Sequence, residues 1–536
     1  MRRIFMGLLV VAACGTAVAR DGHLEWEPSE YSEAAIYAPT PMPDRIVLTW
    51  DDDPATTQAV TWRTDASVKT AVAEVGTANA NGYALKTKRH TAVTTAFESD
   101  INTAHYHSLT FRDLEPDTLY AYRVGDGVNW SEYLHFRTAS RRPAPFSFIY
   151  FGDAQNDVRM HWSRVFREAF REAPRAAFTL HAGDLINTHS HDAEWGGWNS
   201  GPAWVNGTLP VLAVPGNHEY YQAGAGARDE RLWTAKDGRA VPVKIAIEEL
   251  KGEDGSFSWR ITATDDSNNT AVFVSNGAGV TSATDTEAML GYSAEELIGT
   301  NMRKAPLNDR PRQAGEPTVS EHWRPQFAFP VQNPPAGFEE TVYFVDYQGV
   351  RFIALDSNKA PDAQVPWLRR VLAENTNRWT IVTFHHPIYS PAFDRDNPGL
   401  RGLWKPILDE FKVDLVLNGH DHTYARTGAL NDGSMVDNVP TGYQQAYDPE
   451  VGTVYVVSVS GPKMYPIGKG NYARRVAENT QLYQVIDVND AELNYRAFTA
   501  TGELYDAFTL EKRGAQPNRL RELLPPERRS TAAAAP

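Results

Sequence analysis

Five short motifs in this chain end in residues able to bind metal ions. They are Gly152-Asp153, Gly183-Asp184, Gly216-Asn217-His218-Glu219, His385-His386-Pro387 and Gly419-His420-Asp421-His422. Their polar members are carboxylates, an amide and imidazoles, donors that suit Zn, Fe or Mn and poorly suit a soft-metal or purely calcium site. A carboxylate such as Asp184 can bridge two cations. Two cations about 3.5–4 Å apart can clamp an in-line displacement at phosphorus and activate a water. Taken singly, a Gly-Asp or Gly-Asn-His step is most often a turn. Their order, ligand types and placement distinguish the five together.

Each motif closes an apolar run of strand length: FSFIYFGD, AAFTLHAGD, LPVLAVPGN, WTIVTFHHP and VDLVLNGHDH. The glycines permit tight turns and close backbone approach at the strand ends. Between the first two runs, Val165, Phe166, Ala169 and Phe170 recur at helical spacing. Strands ending in polar residues and separated by helices predict a layered α/β domain over 144–510, with ligands gathered beyond the strand C-termini. Ahead of it, residues 41–139 carry short aromatic and β-branched runs (RIVLTW, QAVTWRT, AHYHSLTF, LYAYRVG, YLHFRT) divided by polar turns. That texture predicts an all-β sandwich. Residues 20 to about 40 read as a linker, and 514–536, ending STAAAAP, as a disordered tail.

The ordered set GD…GD…GNHE…HxP…GHxH resembles the metallophosphoesterase signature. GHDHTYAR resembles the GHxHxYER ending of purple acid phosphatases, with Ala425 where Glu is usual. YFVDYQGV followed by FIALDS, and HHPIYS, add to the resemblance. LEPDTLYAYRVGDG followed by WSEYLHFRTA resembles the end of a fibronectin type III-like domain, similar to the one preceding the catalytic domain in plant-type purple acid phosphatases. The resemblance covers about 41–228 and 317–510. It implies a four-layer α/β/β/α catalytic domain behind the sandwich and two divalent or mixed-valence metal ions (Fe, Zn or Mn). It also implies Asp153 and His422 as ligands of the first metal, Asp184 as the bridge, and Asn217, His385 and His420 as ligands of the second. His386 takes a non-ligand place. His218 becomes the outer group that bonds the phosphoryl oxygens or protonates the leaving alkoxide. A metal-bound hydroxide is then the expected nucleophile, and no protein nucleophile is required.

The chain departs from the family at the first metal. The Tyr ligand three residues after the bridging Asp is Asn187 here, and the His that many metallophosphoesterases carry two residues after the first Asp is Gln155. Gln155, Asn187 or water is expected to fill the vacant ligand place. Loss of a tyrosinate weakens any preference for a trivalent metal and removes the basis of a purple colour. The segment after HxP, SPAFDRDNPGL, lacks the histidines that the plant enzymes use near the leaving group. Further candidates are His189 and His191, either site residues or a solvated loop, and Trp195 and Trp198, either a wall of the site or core. Tyr424 and Arg426 could orient the site. His161 and His181 read as structural.

Between 229 and 316 the α/β rhythm stops. LWTAKDGRAVPVKIAIEEL…DGSFSWRITATD resembles the end of a PAS domain, and AVFVSNGAGVTSATDTEAMLGYSAEELIGTN its beginning. The order is last-then-first. A PAS sheet sets its first and last strands side by side, so DDSNN can link them. Strand 256–264 should then pair antiparallel with about 270–276; two unrelated hairpins with a surface helix are the alternative. No bound chromophore is expected. Lying just after the third motif, the insertion should border the site and restrict substrate size or mediate self-association.

The 536 residues carry 42% hydrophobic and 22% charged side chains, ordinary for a globular protein, and a net charge of −15. That balance argues against binding a nucleic-acid backbone and leaves open a small phosphoester substrate, since metal ions supply local positive charge. Arg2 and Arg3, the apolar run Ile4 to Ala13, and Ala17-Val18-Ala19 read as a signal peptide, residues 1–19. The rival reading is a lipoprotein anchored through Cys14, the single cysteine, which excludes intramolecular disulfides. No later run is long and apolar enough to cross a membrane. The expected protein is a secreted or periplasmic binuclear metallophosphatase acting on phosphomonoesters. The alternatives are a phosphodiesterase or nucleotide-directed hydrolase, and an extracellular binding or sensor protein without catalysis.

Overall fold

The structure is a computed structural model that describes residues 30–222, 230–251, 257–276, 279–300, 306–307, 310–311, 316–393, 395–429, 439–514, 516–523 and 525. The signal-peptide reading and Cys14 lie outside the described residues. The stretch read as a linker holds a short helix, Glu33–Ile36, capped by Ser32. It is tied down: the Tyr37 carbonyl accepts from Arg63, and the Tyr37 ring lies so close to Gly196 that a Cβ there would meet it at 2.3 Å.

Residues 44–137 form two four-stranded antiparallel sheets packed face to face. Alternating inward residues, among them Trp62, Phe111, Tyr122 and Phe136, fill the space between them. The sandwich docks on the next domain through Arg45 and Arg63, which both reach buried Asp192.

Two seven-stranded mixed sheets build the second domain. The first runs in the order Val211–Ala213, Thr179–His181, Phe146–Phe151, Leu482–Val488, Glu492–Thr499, Leu504–Arg513, Gln516–Glu522. The second runs Tyr343–Tyr347, Val350–Ala354, Trp379–Thr383, Leu415–Asn418, Val454–Val457, Tyr424–Arg426, Arg475–Ala477. Their inner faces meet in one core, where the stacked rings of Phe148 and Phe178 each meet Phe352 edge to face. Helix Ser163–Glu172 covers the outside of the first sheet with Val165, Phe166 and Ala169. Helices Val365–Ala373 and Pro398–Glu410 cover the second. The result is the expected α/β/β/α layering, and the motif strands read as near-continuous apolar runs because both their faces are buried.

The tail reading needs correction over Gln516–Glu522, while residues 526–536 lie outside the described residues. Gln516–Glu522 is a strand paired antiparallel with Leu504–Arg513, because Glu522 closes a buried ion pair with Arg426. The catalytic domain thus extends past residue 510.

The insertion is one antiparallel sheet in the order Gly279–Thr284, Thr270–Asn276, Phe257–Asp265, Ala240–Lys251, Glu230–Thr234, Arg310–Pro311. Phe257–Asp265 pairs antiparallel with Thr270–Asn276 over Trp259↔Ser275 to Thr264↔Thr270, so two separate hairpins are ruled out. Its own core holds Trp233, Val243, Phe273, Met289 and Leu297. A two-stranded stem, Tyr220–Gln222 with Pro317–Val319, joins it to the host directly after the third motif.

Candidate metal centre

Sheet register brings the motifs together. Phe151, His181 and Ala213 are aligned neighbours on three parallel strands, so the turns after them, bearing Asp153, Asp184 and Asn217, lie side by side. In the other sheet Thr383 pairs with Ala354 and Leu417, which sets the His385 and His420 turns beside each other. Asp184, His420 and His422 all have positive φ, at 52°, 75° and 44°. A backbone this unfavourable for side-chain-bearing residues persists only where the surroundings enforce it. Two glycines make the approach feasible: a Cβ at Gly216 would lie 2.0 Å from Asp184 Oδ1, and one at Gly183 would lie 2.6 Å from His385 Nδ1.

The donors form two groups that share Asp184. Asp153, Asp184 and His422 make one; Asp184, His385 and His420 make the other; within each, the donor atoms lie within 4.8 Å of one another. His385 Nδ1 donates to the Ala182 carbonyl at 2.9 Å, which leaves Nε2 facing the group. There it lies 3.2 Å from Asp184 Oδ2, 3.1 Å from Asn217 Oδ1 and 3.0 Å from His420 Nδ1. His422 donates Nδ1–H to the Lys463 carbonyl at 2.9 Å, again freeing Nε2. All six expected ligand residues are therefore gathered.

The electrostatics favour a cation. Both Asp153 carboxylate oxygens are buried with no hydrogen-bond partner, and burial pushes this carboxyl well above its usual range. Against the effect of burial, the Asp184 and Asp153 carboxylates lift His385 up to about 9. Burial pushes His422 down to about 4, which keeps the ring neutral, the form that ligates. Buried carboxylate oxygens without donors, beside the neutral His422 ring, belong to the donor set of a metal site.

Of the two extra candidates, Gln155 joins the first group. Its Nε2 lies 2.8 Å from Asp184 Oδ2 and 3.1 Å from His422 Nε2, and its Oε1 is buried without a partner. Turning the amide over would aim the oxygen at the donors, an exchange of two near-isosteric atoms. Asn187 stands aside: its Oδ1 accepts from Asn156 at 2.6 Å, and its carbonyl accepts from His218 Nδ1 at 2.5 Å. His386 is held by Ser357 Oγ at 2.8 Å, with its ring 4.1 Å from that of His420.

Other sequence candidates stand outside the two donor groups. Trp195 and Trp198 are fully buried in the core. His191 bonds Glu33 and Glu194, and the His189 ring stacks on Tyr221. Tyr424 and Arg426 are buried on Asp506 and anchor the strand behind His422. His181 is a core residue packed on Phe151 and Trp162. A cleft of about 720 Å³ opens beside the site, lined by Tyr37, Asn156, Arg159, Asn187, His191 and Glu194 among others.

Sequence reasoning left two positioning carboxylates without a role. Buried Glu219 accepts from four backbone N–H groups, those of Asp184, Leu185, Ile186 and Gly216. Glu194 accepts from those of Asn187 and Thr188. The place of Glu219 inside the GNHE motif was a signal for the first; nothing local marked the second.

Shared-carboxylate donors at the strand ends of an α/β/β/α sandwich define a calcineurin-like phosphoesterase, and the family model of that description matches residues 147–278 and 307–424. The chain carries a domain of this family, and a purple acid phosphatase N-terminal domain, matched over residues 43–138, precedes it. Purple acid phosphatase 15 of Arabidopsis thaliana is 28% identical over 150 residues, covering 26% of this chain and 25% of the relative. Probable inactive purple acid phosphatase 24 of the same plant is 22% identical over 454 residues, covering 76% and 57%. The matches thus span from a quarter to just over half of these relatives. The solved purple acid phosphatase PPD1 from yellow lupin (Lupinus luteus) seeds shares the fold, with a TM-score of 0.57 at 16% identity over 88% of this chain and 74% of that one.

Proposed function

We propose that this chain is a phosphoester hydrolase working at a centre of two metal ions, with phosphomonoesters as substrates and its place outside the cytoplasm. The observation that carries the reading is Asp184, the residue common to both donor groups. On this reading Asp153 and His422 hold one ion, with Gln155 able to complete it. His385, His420 and Asn217 hold the other, and Asp184 spans both. Two ions of the Fe, Zn or Mn class, when bound, would supply positive charge for a phosphoryl group and lower the pKa of a bound water.

The chain's own groups do the rest. Glu219 fixes the turn bearing Asp184 through its four N–H bonds. His218, half-buried, keeps its Nδ1 proton on the Asn187 carbonyl, so Nε2 is the atom that exchanges a proton. As imidazolium it donates to a phosphoryl oxygen or to the leaving alkoxide, and the neutral ring then retains Nδ1–H. The sequence reading of residues 1–19 as a leader supports a place outside the cytoplasm.

A non-catalytic binding role has one observation in its favour: a relative matched over most of the chain is named as probable inactive. The retention of all six ligand-competent residues weighs for catalysis. Metal analysis joined to a phosphate-release screen on mono- and diesters tests the proposal. Two metals per chain, monoester turnover abolished by chelation, and near-complete loss in Asp184→Asn with the fold retained are expected. Metal-free protein as fast as loaded protein would overturn the mechanism, and faster release from diesters would reverse the substrate class.

We also read the insertion as a PAS-like module with permuted strand order. Adjacency of Phe257–Asp265 and Thr270–Asn276, its last and first strands on that reading, supports this.

A further inference from the structure

Two cations stand beside the ligand histidines and have no part in the proton and metal chemistry above. Arg395 donates from Nε to Asp421 Oδ1 at 2.9 Å, and its terminal nitrogen lies against Nε2 of His420. That edge of the His420 ring is opposite Nδ1, the atom turned toward His385. The Arg395 guanidinium carbon is 5.1 Å from the centroid of the Tyr465 ring. Lys463 Nζ is 5.7 Å from the same centroid. The Tyr465 ring lies on His422, with centroids 4.6 Å apart, and the Lys463 carbonyl holds His422 Nδ1. One aromatic ring thus joins two cations to both histidines of the fifth motif.

These groups are held and reachable. The Arg395 side chain is 31% exposed, and Lys463 and Tyr465 are half-buried. The loop bearing Arg395 is clamped to the loop bearing Tyr465. Phe393 N–H donates to the Pro466 carbonyl at 3.0 Å, and Gly468 and Lys469 N–H donate to the Pro391 carbonyl at 2.8 and 3.0 Å. A Cβ at Gly468 would stand 2.5 Å from Phe393 Cα, so the close approach requires glycine. Asp396, next to Arg395, is fixed by Arg401 and Tyr443.

Among the described residues the charge balance is one-sided. Asp421 offsets Arg395, while Lys463 has the Tyr465 ring for a neighbour and no carboxylate partner among the described residues. Cations held this close to a cation-binding centre repel it unless an anion lies between them. The phosphoryl group undergoing hydrolysis would be served at the donor groups and His218. Arg395 meets His420 on its far edge, where a different anionic group would sit. Guanidinium and ammonium together recognise phosphate well.

We infer a second anion subsite formed by Arg395, Tyr465 and Lys463, which binds a phosphate of the substrate other than the one hydrolysed. The substrate class is then a compound with at least two phosphate groups. This rests on the phosphohydrolase reading and narrows it.

Calorimetric titration of the metal-loaded protein with inorganic pyrophosphate and with inorganic phosphate tests it. Wild type should prefer pyrophosphate, and R395Q/K463Q should lose about tenfold or more of that preference, the scale of a lost charge-assisted contact. If loss of Arg395 unfolds the chain by stranding buried Asp421, K463Q alone serves, with a fall of roughly threefold or more expected. A preference unchanged in the variants, or absent from wild type, overturns the subsite. Turnover is read separately: a protein that keeps the preference yet releases phosphate from no ester overturns the hydrolase reading and leaves the subsite standing.

Discussion

Nδ1 of His218 lies 2.5 Å from the carbonyl oxygen of Asn187, and the loop that presents this carbonyl is itself pinned by Glu194. The contact fixes which ring nitrogen carries the resident proton and leaves Nε2 for the substrate. His218→Ala should keep its metal and lose roughly 10²-fold or more in kcat, the scale of a lost acid–base group. Metal content and steady-state kinetics measured on one preparation check this; a variant within a few-fold of wild type would remove His218 from the mechanism.

Glu219→Gln should loosen the Asp184 turn. An amide nitrogen would replace one acceptor oxygen among four N–H donors, leaving at least one buried donor unsatisfied at about 1–3 kcal/mol. The expected result is a lower melting temperature together with metal affinity weaker by about 10- to 100-fold, as for supports behind metal ligands. A stability loss without a change in metal affinity would reduce Glu219 to a fold residue.

Asp192 ties the sandwich to the catalytic domain. Burial opposes its ionisation. The His322 ring 3.5 Å away, the hydrogen bonds from Arg45, and the charges of Arg45 and Arg63 nevertheless hold its carboxyl well below the usual carboxylate range. The folded pKa lies below the unfolded one, so the contribution is fully present above the unfolded value of about 3.9 and fades as pH falls toward the folded value. Asp192→Ala should cost about 3–5 kcal/mol at pH 7, the scale of a broken buried pair. The gap between its unfolding curve and that of wild type should narrow as pH drops below about 4. A gap constant down to pH 2 would place the destabilisation in lost packing.

Iron-loaded protein should lack the tyrosinate-to-iron absorption that gives the purple phosphatases their colour. Asn187 stands at the ligand-tyrosine position. Nearby Tyr220 gives its hydroxyl to Asp356, and Tyr221 stacks on His189. A strong visible band in metal-replete protein, abolished by no substitution other than that of a tyrosine, would refute this.

Much of the site was legible in the linear chain because its signals are local. A buried strand announces itself as an apolar run, a glycine (at the fourth motif, His-His-Pro instead) marks the turn that ends it, and the polar residue there projects beyond the strand end. Five such junctions name Asp153, Asp184, Asn217, His385, His420 and His422 with no knowledge of which strands are neighbours. The same locality predicted the sandwich and the pairing across DDSNN, since adjacent strands meet through a short turn. Tertiary structure decided what depends on register and burial between distant segments. It placed one carboxylate, Asp184, in both donor groups and turned Asn187 toward Asn156 while Gln155 faced the donors. It sent Trp195 and Trp198 into the core. Arg395 came to His420 where the segments 391–393 and 466–469 clamp together. Gln516–Glu522 looked like a tail because its polar residues carry no apolar pattern. It is a strand because buried Arg426 needs Glu522, and burying a charge is affordable only when its partner, wherever it lies in the chain, is buried with it.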